Sequence, residues 1–452
     1  MADAAAGGTG AGGAGRRIWG WMMFDVASQP YNTLLLTFVF GPYFASAVMD
    51  DPVAAQSAWG FAIAAAGAVI ALCAPVLGAM ADASGRHLRW IWAFSGLYVL
   101  GALAPWFAAP GSEHVVAVLA LFCVGLVGME FATIFTNAML PGLGPREALG
   151  RISGTGWALG YAGGVVSLVL MLGFFAEDAG GRTLLGAPPA LGLDPEAREG
   201  TRFVGPLTAA WYVVFMVPFF LWVRPVVRVR AGSARPRAAL AALWQTIRSL
   251  PSRPSLAAYL GSSMLYRDAL NGLYVFGGIY TAGVLGWTPV EIGTFGILAA
   301  VTGAVFAWLG GRVDSARGPK PVIAACVVVL LAASLLVVTV SREAVAGVAV
   351  GPGSALPDLA FYVLGGVIGA AGGALQAASR TMLVRQVAED RQTEGFGLYA
   401  LAGKATSFVT PFLIGVATLA SGSQQVGVLP IAALFIAGLV ALRWVDPEGE
   451  RP

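Results

Sequence analysis

Long apolar runs alternate with short polar or Pro/Gly-rich breaks along almost the whole chain. A helix needs about 20 mostly apolar residues to cross roughly 30 Å of hydrocarbon. Twelve runs have that length, so the pattern predicts an all-α membrane protein. The predicted spans are residues 19–48, 54–80, 90–109, 114–140, 152–175, 203–223, 255–284, 289–311, 321–340, 358–383, 395–419 and 427–445.

The longest polar break, residues 224–254, separates the first six predicted spans from the last six. Two similar turns follow the second and eighth spans, each with a glycine, an aspartate, a second glycine and a cation: Gly78, Asp82, Gly85 and Arg86, and Gly310, Asp314, Gly318 and Lys320. This repeat indicates duplication of a six-helix unit. We expect a disordered cytosolic tail at 1–17, helical bundles at 18–223 and 255–446, a cytosolic linker at 224–254 and a second cytosolic tail at 447–452.

The composition supports a lipid environment. Hydrophobic residues make up 57% of the chain and charged residues only 11%, whereas soluble domains carry roughly 25% charge. The net charge of +3 comes from scattered arginines, so we expect no nucleic-acid partner. The cysteines lie singly in apolar runs without metal-ligand spacing, and we expect no metal and no cofactor. His87 and His114 fall at predicted helix ends, where we expect solvated side chains.

The placement of lysine and arginine predicts the topology, because cationic loops stay in the cytosol. If both termini are cytosolic, almost all cations outside the spans lie on the cytosolic side. The outer side then keeps only Arg182, Arg198, Arg202 and Arg342. We therefore expect a multi-pass protein of the cytoplasmic (inner) membrane with both termini in the cytosol.

Five ionisable residues lie inside predicted spans, where each charge costs about 3 kcal/mol or more. They are Asp25, Glu130, Arg267, Asp268 and Lys404. Each needs a partner or a water-filled cavity, so we expect them to bind substrate or to couple transport to an ion. Pro30 removes the hydrogen-bond donor for the Val26 carbonyl, which predicts a kink that offers backbone groups to a cavity.

Glu130 lies in the middle of its span and is the best candidate for protonation, because burial disfavours the charged form. Protonation would abolish its pairing with Arg267 or Lys404. A permanent structural ion pair between Glu130 and Arg267 is an equally weighted alternative. We expect the substrate or gate contacts to come from further polar and aromatic side chains: Gln29, Asn32, Asn137, Trp157, Tyr161, Asn271, Gln376 and Arg380.

The two glycine and aspartate turns resemble the signature loop between the second and third helices of major facilitators. The resemblance implies that the aspartate caps a helix end and that the cation reaches across to the other half. Small residues permit close helix contact, and a charge-assisted pair can latch one conformation. We therefore assign the eight turn residues to a cytosolic gate. An ordinary charged turn is the alternative, and two copies at matching places fit it poorly.

Longer segments carry a more specific resemblance: residues 21–31, 74–86, 151–161, 376–380, and 394–399 followed by Gly403 and Lys404. Together they resemble the vacuole-effluxer-like, or "unknown major facilitator", branch, whose fungal members are similar to autophagy-linked vacuolar amino-acid exporters. The resemblance implies a monomer with a major facilitator fold, 12 transmembrane helices in two pseudo-symmetric six-helix bundles, and export of a small solute such as an amino acid. Val26 and Ser28 replace the usual Trp and Asn after Asp25, which changes the expected cavity wall.

Enzyme signatures are missing from the sequence, which contains no phosphate-binding loop, no HExxH and no GxSxG. We predict a secondary active or facilitative transporter of a small molecule, with protons as a candidate coupling ion, that works by alternating access. A multidrug-type proton antiporter is one alternative, although the fifth span lacks the proline that those exporters typically show. A membrane accessory or receptor protein without turnover is another, and the titratable groups at membrane depth argue against it.

Overall fold

A computed structural model shows an almost entirely helical chain. It describes residues 6–49, 52–178, 180–223, 241, 244, 245, 248, 250–285, 287, 289–406, 409–421 and 423–449. Two compact units divide the chain. Unit 1 comprises Met1–Leu143 and Leu159–Arg235, and unit 2 comprises Gly144–Ala158 and Pro236–Pro452. Residues 144–158 therefore belong with the second half, which a division at the linker did not anticipate.

Unit 1 consists mainly of α-helices. They are α1 (Ala6–Pro30), α2 (Phe40–Tyr43), α3 (Pro52–Ser84), α4 (His87–Ala102), α5 (Val115–Asn137), the second part of α6 (Arg146–Phe174), α7 (Glu199–Arg202) and α8 (Val204–Trp222). π-Helical segments at Tyr31–Phe38 and Phe44–Val48 flank α2. Helices α4 and α5 touch at Gly101 and Gly125, where a Cβ on Gly101 would collide with the Gly125 backbone. Only glycine allows this approach.

Unit 2 contains the start of α6 and the helices of the second half. They are α9 (Pro254–Tyr280), α10 (Pro289–Arg317), α11 (Pro319–Val337), α12 (Leu356–Gln386), α13 (Gln392–Ala405), α14 (Val409–Ser421), α15 (Gln424–Gly427) and α16 (Leu429–Ala441). A π-helical segment, Thr281–Leu285, extends α9. Strands β1 (Ala344–Val345) and β2 (Val348–Ala349) pair antiparallel between α11 and α12. Short 3₁₀ segments complete the connections: Ala104–Phe107, Leu140–Leu143, Ala190–Gly192, Leu250–Ser252, Glu389–Arg391 and Leu442–Trp444.

Nine helices in the described part of the chain are long and apolar enough to cross a membrane. They correspond to the predicted spans two to six, eight to ten and twelve. The other three predicted spans, 19–48, 255–284 and 395–419, are helical but do not have this apolar length, so the predicted count of twelve is not confirmed. The first two carry polar side chains within the span, and the third is interrupted between α13 and α14.

The structure describes part of each predicted tail. Residues 6–17 continue α1, whereas the sequence predicted a disordered tail. At the other end, the Asp446 N–H donates to Ser255 Oγ (2.8 Å), and Gln386 Nε2 donates to the Asp446 carbonyl (2.7 Å). An ion pair from Arg385 to Glu448 (2.7 Å) holds the next residues. Most of the linker 224–254 lies outside the described residues.

Candidate functional site

Arg267 is held on α9 by contacts with α13. Its guanidinium carbon lies 4.0 Å from the centroid of the Tyr399 ring, and Nη1 donates to the Tyr399 carbonyl (3.1 Å). Gly403, one turn after Tyr399, makes room for it, since a Cβ there would lie 2.9 Å from Nη1. Among the described residues Arg267 makes no ion pair within 4 Å. The Tyr399 ring and carbonyl carry no full charge, so the guanidinium can still attract an anion.

Two buried tyrosines fix α9 against α12. Tyr259 donates its hydroxyl to the Ser379 carbonyl (2.6 Å), and the Tyr266 hydroxyl shares a hydrogen bond with Ser379 Oγ (2.8 Å). The Tyr259 ring also lies parallel to the Tyr399 ring, with centroids 6.0 Å apart. These tyrosines were not among the predicted site residues. Tyr259 and Tyr266 lie seven residues apart, which places them on one helix face and was the available signal.

Arg380 and Trp157 meet within unit 2. Arg380 is buried on α12, and its guanidinium carbon lies 5.3 Å from the centroid of the Trp157 ring on α6. Gln376 lies one turn earlier on α12 and is half-buried. Asp268 is buried on α9, whereas Asn271 is exposed. The side chain of Lys404 is outside the described positions.

The candidate residues of unit 1 lie on α1, on the π-helical segment that follows it, on α5 and on α6. Asp25, Gln29, Asn32, Glu130, Asn137 and Tyr161 are all half-buried. Helix α1 packs on α6 through glycines, since a Cβ on Gly160 would lie 3.2 Å from the Asp25 carbonyl oxygen and one on Gly164 would lie 2.9 Å from Gln29 Cγ. Asn32 Nδ2 contacts Met129 Sδ at 4.0 Å, next to Glu130. The structure therefore brings the α1 residues close to the middle of α5 and to α6.

We expected the Val26 carbonyl to face a cavity, but it accepts a hydrogen bond from another helix. Pro30 does remove its helical donor, but the Trp211 indole on α8 donates to that oxygen instead (2.9 Å). The irregularity appears one residue later, where the π-helical segment Tyr31–Phe38 begins. A long-range donor thus satisfies the carbonyl that proline released, as buried backbone groups require.

The two repeated turns each place a glycine at positive φ directly after a helix. Gly85 follows the end of α3 with φ +62°, and Gly318 follows the end of α10 with φ +83°. Both values lie in the left-handed region that glycine adopts without strain, which explains the repeated glycine. Both aspartates are buried: Asp82 lies 3.1 Å from His87 Nε2, and Asp314 accepts a hydrogen bond from the Thr381 hydroxyl.

One expectation about these turns is wrong. His87 is 1% exposed and contacts Asp82, so it is not a solvated loop histidine. Lys320 donates to the carbonyls of Val445 (2.6 Å) and Arg443 (3.4 Å), which belong to the same unit, whereas the family resemblance implied a cation that reaches the other half. Arg86 is exposed.

The start of α6 packs tightly against α10 and α12 within unit 2. A Cβ on Gly150 would lie 2.6 Å from Asp314 Cγ, and a Cβ on Gly154 would collide with the Ala307 carbonyl. The Arg151 N–H donates to Ser315 Oγ (2.8 Å). The contact therefore tolerates only glycine at positions 150 and 154, and Gly150 packs directly against Asp314.

A folded loop follows α6, outside the candidate spans. Asp178 accepts hydrogen bonds from the backbone N–H groups of Arg182 (3.0 Å) and Gly180 (2.8 Å), which lower the pKa of this carboxyl. Glu177 is buried beside it and pairs with Arg198 at 3.3 Å. Among the described residues no cluster of three or more His, Cys, Asp or Glu side chains could hold a metal ion.

Comparison with known proteins identifies relatives over most of the chain. The family described as "Vacuole effluxer Atg22 like" matches residues 45–451. The MFS-type transporter YxiO of Bacillus subtilis (strain 168) is 24% identical over 434 residues, which cover 95% of this chain and 94% of that protein. Autophagy-related protein 22 of Cryptococcus neoformans is 24% identical over 310 residues. That match covers 67% of this chain and 51% of the fungal protein, so the chain spans about half of its length.

Solved structures share the fold at low sequence identity. The human organic anion transporter MFSD10 (TETRAN) has a TM-score of 0.70 and 15% identity, and the match covers 95% of this chain and 99% of that chain. The proton:xylose symporter XylE has a TM-score of 0.71 and 11% identity, with 97% of both chains covered. The predicted major facilitator fold is therefore confirmed.

Proposed function

Because this chain belongs to the Atg22-like vacuole effluxer family of major facilitator transporters, we propose that it exports a small solute, an amino acid or a similar metabolite, by alternating access. Members of this family are major facilitator transporters, so the chain is a multi-pass membrane transporter and not an enzyme. We propose the identity of the solute, the direction of transport and the energy source in the paragraphs below from the residues of each unit.

Arg267 carries this proposal. It lies in the middle of α9, and within unit 2 it is held in place by a tyrosine ring and a carbonyl. An arginine charge at membrane depth is costly unless a partner or water compensates it. A carboxylate on the solute is such a partner, and a guanidinium binds it with two parallel hydrogen bonds. The buried Arg380 on Trp157 adds a second cation to the same unit.

For unit 1 we propose that Glu130 carries the coupling proton and that Asp25, Gln29 and Asn32 contact the solute. Glu130 is half-buried in α5, and Asn32 contacts the residue before it. Binding or release of a proton would change the charge of this side chain, so proton binding would alter the relative stability of the two conformations between which the transporter alternates. Protons couple transport in XylE, as its name states.

The cytosolic gate of the proposal consists of the two glycine turns and the start of α6. Residues 144–158 belong to unit 2, while the rest of α6, from Leu159, belongs to unit 1. Helix α6 therefore contributes to both units, and its contact with Asp314 in unit 2 is the one that would open and close during transport. We assign Gly78, Asp82, its neighbour His87 and Gly85 to the equivalent function in unit 1.

Counterflow in proteoliposomes tests the proposal. Vesicles loaded with one unlabelled amino acid at a time should accumulate the labelled form through the wild type. Arg267→Ala should abolish accumulation, and the matched variant Gly261→Ala should preserve it, because a Cβ at Gly261 meets nothing within 4 Å. Exchange of cationic dyes instead of amino acids would identify a multidrug antiporter, and failure of every solute would leave only an accessory protein.

A further inference from the structure

Two buried oxygen atoms lack partners where α9 faces the interrupted helix α13–α14. Asp268 is 4% exposed and Thr410 is 1% exposed. Asp268 Oδ2 and Thr410 Oγ1 accept or donate no hydrogen bond in the part of the chain that the structure describes. Buried carboxylate and hydroxyl oxygens without partners are costly, and a bound cation is one group that satisfies them.

The two side chains belong to one contact between the helices. Gly272 follows Asp268 by four residues, so the two share a face of α9. A Cβ on Gly272 would collide with the Thr410 methyl group, which places α14 directly against that face. Thr406, four residues before Thr410, lies within hydrogen-bonding range of the Asp268 carboxylate.

The helix is interrupted at this point. Helix α13 ends at Ala405 and α14 begins at Val409. The Val409 N–H donates to the Thr406 carbonyl (2.8 Å), three residues back, so the regular pattern of helical hydrogen bonds is broken. Interrupted helices leave carbonyl oxygens without helical donors, and such oxygens coordinate cations in membrane transporters.

We infer that Asp268, Thr406 and Thr410 form a binding site for a monovalent metal cation, Na⁺, at the break between α13 and α14. The three side chains offer carboxylate and hydroxyl oxygens, which hard cations prefer. A single carboxylate balances a single positive charge. The adjacent Arg267 does not replace the ion, because its guanidinium is engaged with Tyr399 on α13.

This site goes beyond the proposed function, which names a proton at Glu130 in unit 1. Binding of Na⁺ at Asp268 would link α9 to both parts of the interrupted helix. It would thereby favour the conformation in which these elements are packed together. Binding can be measured on the purified protein without any transport, so failure of the site and failure of the transport proposal are separate results.

Thermal unfolding in detergent tests the inference. The purified chain is melted at fixed pH and ionic strength while NaCl replaces choline chloride, with KCl as a parallel series. We expect a saturable rise in Tm with Na⁺ of about 2 °C when the Na⁺ concentration is roughly five times the dissociation constant. We expect a smaller rise or none with K⁺.

Two variants and one control assign the effect to the site. Asp268→Asn and Thr410→Val should each abolish the Na⁺-dependent rise. Thr302→Val should keep it, because the Thr302 hydroxyl donates within its own helix to the Leu298 carbonyl (3.0 Å). An unchanged Na⁺ response in either site variant would overturn the inference. So would a wild-type Tm that depends on pH through Asp268 but not on Na⁺, which would assign the position to a proton.

Discussion

Replacing Gly150 by alanine should loosen the contact between the start of α6 and the end of α10. The new Cβ would lie 2.6 Å from Asp314 Cγ, 2.8 Å from Asp314 Cβ and 2.8 Å from the Ser315 backbone nitrogen. Asp314 is buried and accepts a hydrogen bond from Thr381, so it cannot move aside without losing that bond. The Ser315 nitrogen is backbone and yields even less. The start of α6 must therefore shift away from α10.

The size of the effect is the difference between two terms. Alanine in place of a helical glycine gains about 0.5–1 kcal/mol. Overpacking a tight contact costs about 1–3 kcal/mol, and a clash with a backbone atom takes the upper part of that range, about 2–3 kcal/mol. With a gain of about 1 kcal/mol, the packed state of this contact should lose about 1–2 kcal/mol, which changes its population relative to the opened state by roughly 5- to 30-fold.

Cysteine labelling measures that population. Ser153 is 0% exposed, and its hydroxyl donates to the Ala377 carbonyl on α12 (3.0 Å). In a background with the three native cysteines replaced by alanine, Ser153→Cys should react slowly with a maleimide. Adding Gly150→Ala should raise the labelling rate by about the same 5- to 30-fold if labelling follows opening of the contact.

The control is alanine at Gly261 on α9, where a Cβ meets nothing within 4 Å. This variant changes glycine to alanine inside a helix without the clash, so its labelling rate should equal that of the parent. Equal rates for Gly150→Ala and Gly261→Ala would refute the packing argument, because they would show that the start of α6 is not held against Asp314.

Three further outcomes follow from single contacts. Gly101→Ala should destabilise unit 1 by about 3 kcal/mol and lower Tm, because its Cβ meets the backbone of α5, whereas Gly96→Ala, with open space around it, should not. Arg267→Lys keeps the charge but loses the planar stack on α13, and it should raise the solute concentration for half-maximal counterflow by about tenfold. Asp178→Ala removes the acceptor for two backbone N–H groups, so trypsin should cleave faster at Arg182 while Tm stays unchanged.

Apolar run length and turn glycines made most of the fold predictable. Gly85 and Gly318 were expected in repeated turns, and both have the positive φ that explains their identity. The start of α6 was harder, because nothing local in residues 144–158 indicates that they pack in unit 2. That assignment depends on Gly150 and Gly154 meeting residues about 150 positions later in the chain, and helix periodicity does not report such partners.

The sequence predicted which residue types belong to the site, but it predicted poorly which groups those residues contact. Arg267 and Asp268 were selected because a charge at membrane depth is costly, which is a property of the position alone. His87 was misjudged because a helix end usually faces solvent, whereas Asp82 at 3.1 Å provides a buried partner. The Val26 carbonyl was misjudged because its donor, the Trp211 indole, comes from a helix far along the chain. Sequence identifies a polar group that needs a partner, and only the fold supplies that partner.

The three predicted spans that lack a sufficient apolar length also carry most of the candidate charges. A helix that faces lipid on all sides must be apolar on all sides, so α1, α9 and the interrupted α13–α14 need protein or water along their polar faces. Asp25 lies on the first, Asp268 on the second, and the third is broken beside Thr410. Where a polar face is required and a helix is also interrupted, backbone and side-chain oxygens become available together. That coincidence makes the Asp268 region the part of unit 2 best suited to bind a cation, with Arg267 next to it suited to bind an anion.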